Sequence, residues 1–284
     1  MRNVILITGC SKGFGYLFAL TLARAGYQVV ATSRALSRMQ DLQAQALREA
    51  LPLDCLEMDV TRPDMIRSAT QKILHRYGKI DVLVNNAGYG LYAYIEDASP
   101  EEINALFQTN VMGLIAVSQA VIPIMKAQHS GRIINISSAA VGAVLPTMGF
   151  YAATKWAVEA ISEAMVLELN RFGIAISVIQ PGPFRTAFSD AAIRNPRTHE
   201  QGGGALHAKM HLLPKENPQK VADLLLRIVQ SRRPRFHYSI GATARLVFAL
   251  RKLLPDSWFL KIEAALVNRL KTVSWEVFPN GAIL

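Results

Sequence analysis

Cysteine is scarce. Cys10 and Cys55 are the only two in 284 residues. They allow at most one bridge and lack metal-ligand spacing, which excludes a disulfide framework and a zinc module. The simplest reading is two reduced thiols in a reducing compartment, the cytoplasm. Long apolar runs are missing too. "MRNVILITGC" starts basic, but its apolar run of about five residues is shorter than the core of a secretion signal. "VMGLIAVSQAVIPIM" falls short of the ~20 residues of a membrane span and contains Gln119 and Pro123, so it reads as a buried helix. Nucleic-acid signatures are absent: no zinc-finger spacing, no RNP-like aromatic motif, no evident helix-turn-helix. His75, His129, His207 and His211 do not stand at ligand spacing, and no metal is expected.

Acid is lacking in one region. Residues 191–284 hold 15 Lys/Arg against 6 Asp/Glu, so 15 − 6 = +9 of the net +10 sits in the last third. With 51% apolar and 18% charged residues, the chain is globular rather than disordered.

What is present is an alternation. Short apolar runs at 3–8, 27–34, 54–60, 80–88, 131–138 and 173–182 read as buried strands, and helix-periodic stretches separate them. Helices between strands imply βαβ units, hence an α/β doubly wound parallel sheet, Rossmann-like. No internal repeat and no linker splits the chain, so residues 1–284 read as one domain. The helix opening at "SPEE" has Ser99 to cap it, Pro100 at its first position and acids in its first turn. "YAATKWAVEAISEAMVLELNRFG" reads as a long helix ending at Gly173, with Tyr151 and Lys155 one turn apart on one face. After residue 182 the pattern loosens. The stretch of about 183–216, with Gly202–Gly204 inside it, suggests a mobile lid over a site. A basic helical segment follows at about 240–284.

"TGCSKGFG" (8–15) lies between the first strand and the first helix. Gly9, Gly13 and Gly15 permit a tight turn and close backbone approach, and the helix N-terminus offers N–H groups to a pyrophosphate. Dinucleotide folds that prefer NAD place an acid at the end of the second strand; here stands Thr32-Ser33-Arg34. Arg34, with Lys12 of the glycine turn, suits a 2′-phosphate, which favours NADP(H) over NAD(H). Asp59, at the end of the third strand, is either an acceptor for the adenine amino group or a plain turn residue.

These pieces form a pattern. "TGCSKGFG", "NNAG" (85–88), Asn110, Ser138, "YAATK" (151–155) and "PGPFRT" (181–186) resemble, in content and order, the motifs of short-chain dehydrogenases/reductases. The resemblance spans roughly residues 3–230 and is nearest in style to the NADP(H)-preferring hydroxysteroid, retinol and carbonyl reductases. It implies an oxidoreductase in which Tyr151 is the acid/base and Lys155 both lowers the phenol pKa and holds the nicotinamide ribose. It implies Ser138 as donor to the substrate oxygen, chosen over Ser137 by its spacing to Tyr151, and Asn110 as a mid-helix kink holding a relay water. The nucleotide would meet Gly9, Ser11, Lys12, Gly13, Phe14, Gly15, Arg34, Asp59, Val60, Asn86, Ala87, Gly88, Tyr151, Lys155, Pro181, Gly182 and Thr186.

Tyr89, Leu91, Val144, Leu145, Met148, Phe184 and Phe188 flank these groups, with no basic cluster to grip an anionic substrate. They point to a lipophilic ketone, aldehyde or secondary alcohol, or they simply pack the core. Three readings stand for the basic C-terminus: a lid or subunit contact in a homo-oligomer, peripheral contact with an anionic membrane, or solvated structure. The competing functions are a non-catalytic NADP(H) sensor and a membrane-surface scaffold.

Overall fold

The computed structural model describes residues 2–186, 188, 192–200 and 215–270, with side chains to 268. The expected glycine run at 202–204, most of the expected lid and the segment 271–284 lie outside the described residues.

A seven-stranded sheet, parallel in every pairing, forms the centre. Its strands are β1 (Val4–Ile7), β2 (Gln28–Ser33), β3 (Leu53–Glu57), β4 (Val82–Asn85), β6 (Gly131–Ile136), β7 (Ile174–Pro181) and β9 (His237–Ile240). Their order is β3-β2-β1-β4-β6-β7-β9. The chain runs outward from β1 to β3 and then returns to place β4 on the other side of β1. That reversal opens a crevice at the carboxyl ends of β1 and β4, where open α/β sheets take ligands.

Both faces are covered, so the strands read as continuous apolar runs. Alternation in β1 shows the division. Ile5 and Ile7 join a core with α1 (Gly13–Arg24) and α7 (Gln219–Gln230). Val4 and Leu6 join the opposite core with α3 (Pro63–Tyr77), α5 (Gly113–Gln128) and α6 (Gly149–Leu169). Each large apolar side chain so buried contributes about 1.5–3 kcal/mol against the entropy of ordering it.

Several local expectations are met. Ser99 caps α4 (Pro100–Phe107), accepting from Glu102 N at 3.1 Å while Glu102 Oε2 accepts from Ser99 N at 2.9 Å. Such a box stabilises a helix start by about 1 kcal/mol. α6 ends through a short 3-10 turn at Gly173, whose φ of 72° suits glycine. One expectation changes. The apolar stretch thought too short to span a membrane belongs to a 29-residue helical run, Pro100–Gln128, long and apolar enough by composition to do so. The run is longer because α4 continues through a π-helical turn, Gln108–Met112, into α5. In this fold Leu114, Val117, Val121 and Met125 pack it onto the sheet.

Two features have no counterpart in the sequence reading. β9 is a seventh strand, "HYSI", lying at the sheet edge and too short and polar to stand out. β5 (Leu91–Tyr92) and β8 (Ile193–Arg194) form a separate two-stranded ladder beside the crevice. The C-terminal segment folds as α8 (Ala242–Leu253) and α9 (Asp256–Leu270).

Candidate active site

The glycine turn follows β1 and abuts the end of β4. Gly9 and Gly13 have φ of 74° and 65°, left-handed values that glycine adopts without strain. A Cβ at Gly9 would stand 2.8 Å from Ala87 Cα, and one at Gly15 would overlap Gly9 O and lie 2.6 Å from Asn86 Nδ2. Asn86 ties the two loops together, donating from Nδ2 to Thr8 O at 2.9 Å and Gly9 O at 3.0 Å. Thr8 completes the tie: its Oγ1 accepts from Asn86 N at 3.0 Å and Ala87 N at 2.9 Å. That role is not legible in the sequence, because a threonine at a strand end carries no periodic signal.

The first turn of α1 contains no acid, and Lys12 at its N-cap makes no capping bond through its side chain. Its N–H groups and positive dipole end therefore face the crevice. Across it, Thr186 Cβ would lie 3.9 Å from a Cβ at Gly13. Thr186 Oγ1 accepts from Phe188 N at 3.3 Å. Pro181 and Gly182 close β7, with Gly182 N donating to Ile240 O of β9 at 2.9 Å. Ser11 and Phe14 are half-buried in the glycine turn, Lys12 and Gly88 exposed beside it. Arg34 is exposed at the end of β2, its charge felt by the Tyr89 phenol. Asp59 behaves as a turn residue: its Oδ1 accepts from Thr61 N at 2.9 Å and Thr61 Oγ1 at 2.8 Å. Val60 is buried against Gly113.

Tyr151 and Lys155 are drawn into the protein on one face of α6, 5% and 6% exposed. Lys155 Nζ lies 5.7 Å from the centre of the Tyr151 ring and donates to Ile136 O at 2.8 Å. The Ser138 hydroxyl stands near enough to the Tyr151 phenol to favour its ionised form, and it accepts from Ala140 N at 3.1 Å. Ser137, the rival, has its hydroxyl buried with no partner among the described residues. Asn110 sits in the π turn. Its Oδ1 accepts from Tyr89 N at 3.0 Å, and its Nδ2 donates to Tyr89 O at 2.9 Å and to Thr154 Oγ1 at 3.1 Å. A Cβ at Gly88 would stand 3.0 Å from Asn110 Oδ1 and 3.8 Å from Lys155 Nζ, so β4, the π turn and α6 meet there.

Electrostatics depart from expectation. The phenol of Tyr151 is not drawn down. Burial pushes its pKa up, the nearby Ser138 hydroxyl opposes this, and Tyr92 adds to the rise. Burial also depresses Lys155, to about 8, against the pull of the Glu159 charge one turn on. Desolvation disfavours each charged form, and for both groups it is the largest cause.

The apolar candidates separate. Phe188 lies 5.5 Å from the Tyr151 ring, centre to centre, and packs with Met148 around Tyr151, Ala140 and Ala152. Leu145 is half-buried on the same loop and Val144 is exposed. Tyr89 packs beside Leu91, Ala93 and Leu106, with Leu91 wholly buried. Phe184 turns the other way. It is buried edge-on against Phe14 in the α1-side core, which corrects its place among cleft-lining residues. Its backbone pairs with Glu216, so the two ends of the expected lid meet.

The crevice fits a dinucleotide. It has glycines where a Cβ would clash, a helix N-terminus free of acid, and a buried ammonium that, among the described residues, gives one hydrogen bond, to a carbonyl. Among the described residues, no cluster of three or more His, Cys, Asp or Glu could hold a metal. Both cysteines are free. The model of the short chain dehydrogenase family matches residues 3–196.

The chain belongs to the short-chain dehydrogenase family. As a member it is an oxidoreductase acting on alcohol or carbonyl groups. A 3-ketodihydrosphingosine reductase of Bacteroides thetaiotaomicron is 35% identical over 90% of this chain and 94% of its own. The 17-beta-hydroxysteroid dehydrogenase type 6 of Rattus norvegicus is 33% identical over 89% and 85%. A short-chain dehydrogenase structure from Streptomyces avermitilis superposes with a TM-score of 0.80 at 30% identity, covering 95% of this chain and 98% of the other. Solved members carry either nucleotide: a gluconate 5-dehydrogenase from Burkholderia cenocepacia holds NADP (TM-score 0.74, 27% identity, 87% and 96% covered), and a Burkholderia phymatum member holds NAD (0.76, 25%, 89% and 95%).

Proposed function

We propose that this short-chain dehydrogenase is a single-domain, cytoplasmic, NADP(H)-dependent reductase of lipophilic ketones or aldehydes, acting in reverse on secondary alcohols. The observation that carries the reading is the buried Tyr151, with the Ser138 hydroxyl beside its phenol, Lys155 Nζ 5.7 Å from its ring centre, and Phe188 and Met148 packed against it.

In this reading a nicotinamide held in the crevice would supply a hydride for the carbonyl carbon. Tyr151 gives its proton to the carbonyl oxygen, a contribution typically of 10²–10⁴-fold. A phenol held protonated by burial is loaded for that direction. Ser138 donates to the same oxygen as charge gathers on it. Lys155, with an ammonium that keeps protons beyond the one given to Ile136 O, holds the ribose and offsets the phenolate left behind. Asn110 fixes the Tyr89 loop and the Thr154 turn around these groups. Arg34 and Lys12 supply the cations for a 2′-phosphate, and Thr186 faces the glycine turn from the far wall of the crevice.

Phe188, Met148 and Leu145 supply apolar surface and no cation, which suits a carbonyl on a hydrocarbon frame. Relatives named for a ketosphingoid base and for hydroxysteroids agree in that chemistry. Reduction is the favoured direction because cellular NADP is kept largely reduced. The test is NADPH and NADH consumption across carbonyls of increasing chain length. The expected result is turnover that rises with hydrocarbon content and prefers NADPH. Turnover confined to short, charged carbonyls would overturn the substrate class.

A further inference from the structure

The C-terminal helices have two different faces. The inner face is engaged with the loop that carries Ser138. Arg251 Nη1 donates to Gly142 O at 3.1 Å, and Arg251 Cζ lies 5.2 Å from the Phe259 ring centre. A Cβ at Gly142 would stand 2.6 Å from Val247 Cγ1. Glu263 turns to this side: burial raises its carboxyl pKa, and the nearby Arg251 charge and Val144 backbone oppose the rise. Ala244, Phe259 and Val267 are buried on this side.

The outer face is apolar. Trp258, Ile262 and Leu266, at i, i+4 and i+8 of α9, are 63%, 39% and 54% exposed. At about 100° per residue they fall within about 80° of one another, one stripe along the helix. Lys261 is exposed beside the stripe. Glu263 stands as far from the stripe's centre as Lys261, about 100°, but on the other side, where it is half-buried, and Asp256 falls about 120° away. α8 repeats the pattern: Leu246 and Leu253 are exposed at i and i+7, Arg245 and Lys252 stand exposed next to them, and the helix has no acid. An apolar stripe with an exposed tryptophan, flanked by cations and cleared of acid, matches the interface of an anionic bilayer: rings and aliphatic groups enter the acyl boundary while Lys and Arg meet headgroup phosphates. A second copy of the chain is the poorer occupant, because a two-fold contact through this face would gather Arg245, Lys252 and Lys261 of both copies with no acid on the stripes to pair them.

We infer that α8 and α9 form a docking face for an anionic lipid surface, seated through Trp258, Ile262 and Leu266 and steered by Arg245, Lys252 and Lys261. Because the inner side of the same helices holds the Ser138 loop, docking brings the reaction site to the membrane. This last step rests on the lipophilic-substrate reading, whereas the docking does not.

The experiment is co-sedimentation of the full chain with vesicles of phosphatidylcholine alone and with about 30% phosphatidylserine, at low salt and at about 0.5 M salt. The expected result is binding to the anionic vesicles that falls about tenfold or more in high salt. A Trp258→Ser/Ile262→Ser/Leu266→Ser variant should lose that binding while keeping its unfolding midpoint and its turnover of a water-soluble carbonyl. Lys252→Gln/Lys261→Gln, a milder change, should weaken binding in the same direction. Equal sedimentation with neutral and anionic vesicles, or a triple variant that binds as well as the parent, overturns the inference. So does a parent that binds no vesicles and is a dimer which the triple variant converts to monomer. If vesicles are bound but no carbonyl is reduced, the docking stands and the enzymatic reading falls.

Discussion

Lys155 Nζ lies 5.7 Å from the centre of the Tyr151 ring, and both side chains are buried on one face of α6. Their spacing is a property of the helix, but their electrostatic state is a property of the pocket. Burial holds the phenol protonated and makes the ammonium easier to discharge.

Replacing Tyr151 by Phe removes one hydroxyl and keeps the ring against Phe188. Carbonyl reduction should fall by about 10³-fold or more, with NADPH affinity within about threefold of the parent. Steady-state kinetics and a fluorescence titration check both. Retained turnover would reject Tyr151 as the proton donor.

The depressed Lys155 gives stability a pH signature. The free lysine pKa is 10.5 and the folded value about 8. Between those values the unfolded chain binds more protons than the folded one, so this group's contribution rises with pH. Below pH 8 the cost of burying its charge is fully present. The difference in unfolding free energy between the parent and Lys155→Met should therefore grow in the parent's favour from pH 8 towards pH 10, by up to about 3 kcal/mol. Denaturant unfolding at four or five pH values measures it, and a flat difference refutes the shift.

Arg34 is the exposed cation at the end of β2. Arg34→Ala should raise KM for NADPH about 10–100-fold, the scale of lost charge-assisted hydrogen bonds, while KM for NADH moves little. Equal losses for both nucleotides would assign Arg34 elsewhere.

Gly15 allows no side chain, since a Cβ would overlap Gly9 O. Gly15→Ala should cost about 1–3 kcal/mol of stability and weaken both nucleotides together. A variant with parental stability and binding would show that the turn shifts freely.

Arg251 joins α8 to Gly142, four residues after Ser138. Arg251→Met should lower kcat about tenfold with the NADPH dissociation constant unchanged, since it acts only through the position of the Ser138 loop. Arg251→Lys should recover part of kcat. An equal loss in nucleotide binding would mean general destabilisation instead.

Much of this protein is written locally. The apolar strand runs, the Ser99 box, the glycines of the first turn and the 151–155 spacing each depend on neighbours a few residues away, so sequence alone determined the layers, the helix ends and the family. What it left open depends on contacts between distant segments. Phe184 could be cleft or core until its ring was seen against Phe14. β9 is too short and polar to declare itself, and exists because β7 offers it an edge. Thr8 acquires its role only when β1 meets β4. The protonation states of Tyr151 and Lys155 could not be read from their spacing, because desolvation is set by everything packed around them. A linear pattern encodes periodicity and turn chemistry; the dielectric around a buried charge, and which side of a basic helix is left bare, exist only after the chain has closed on itself.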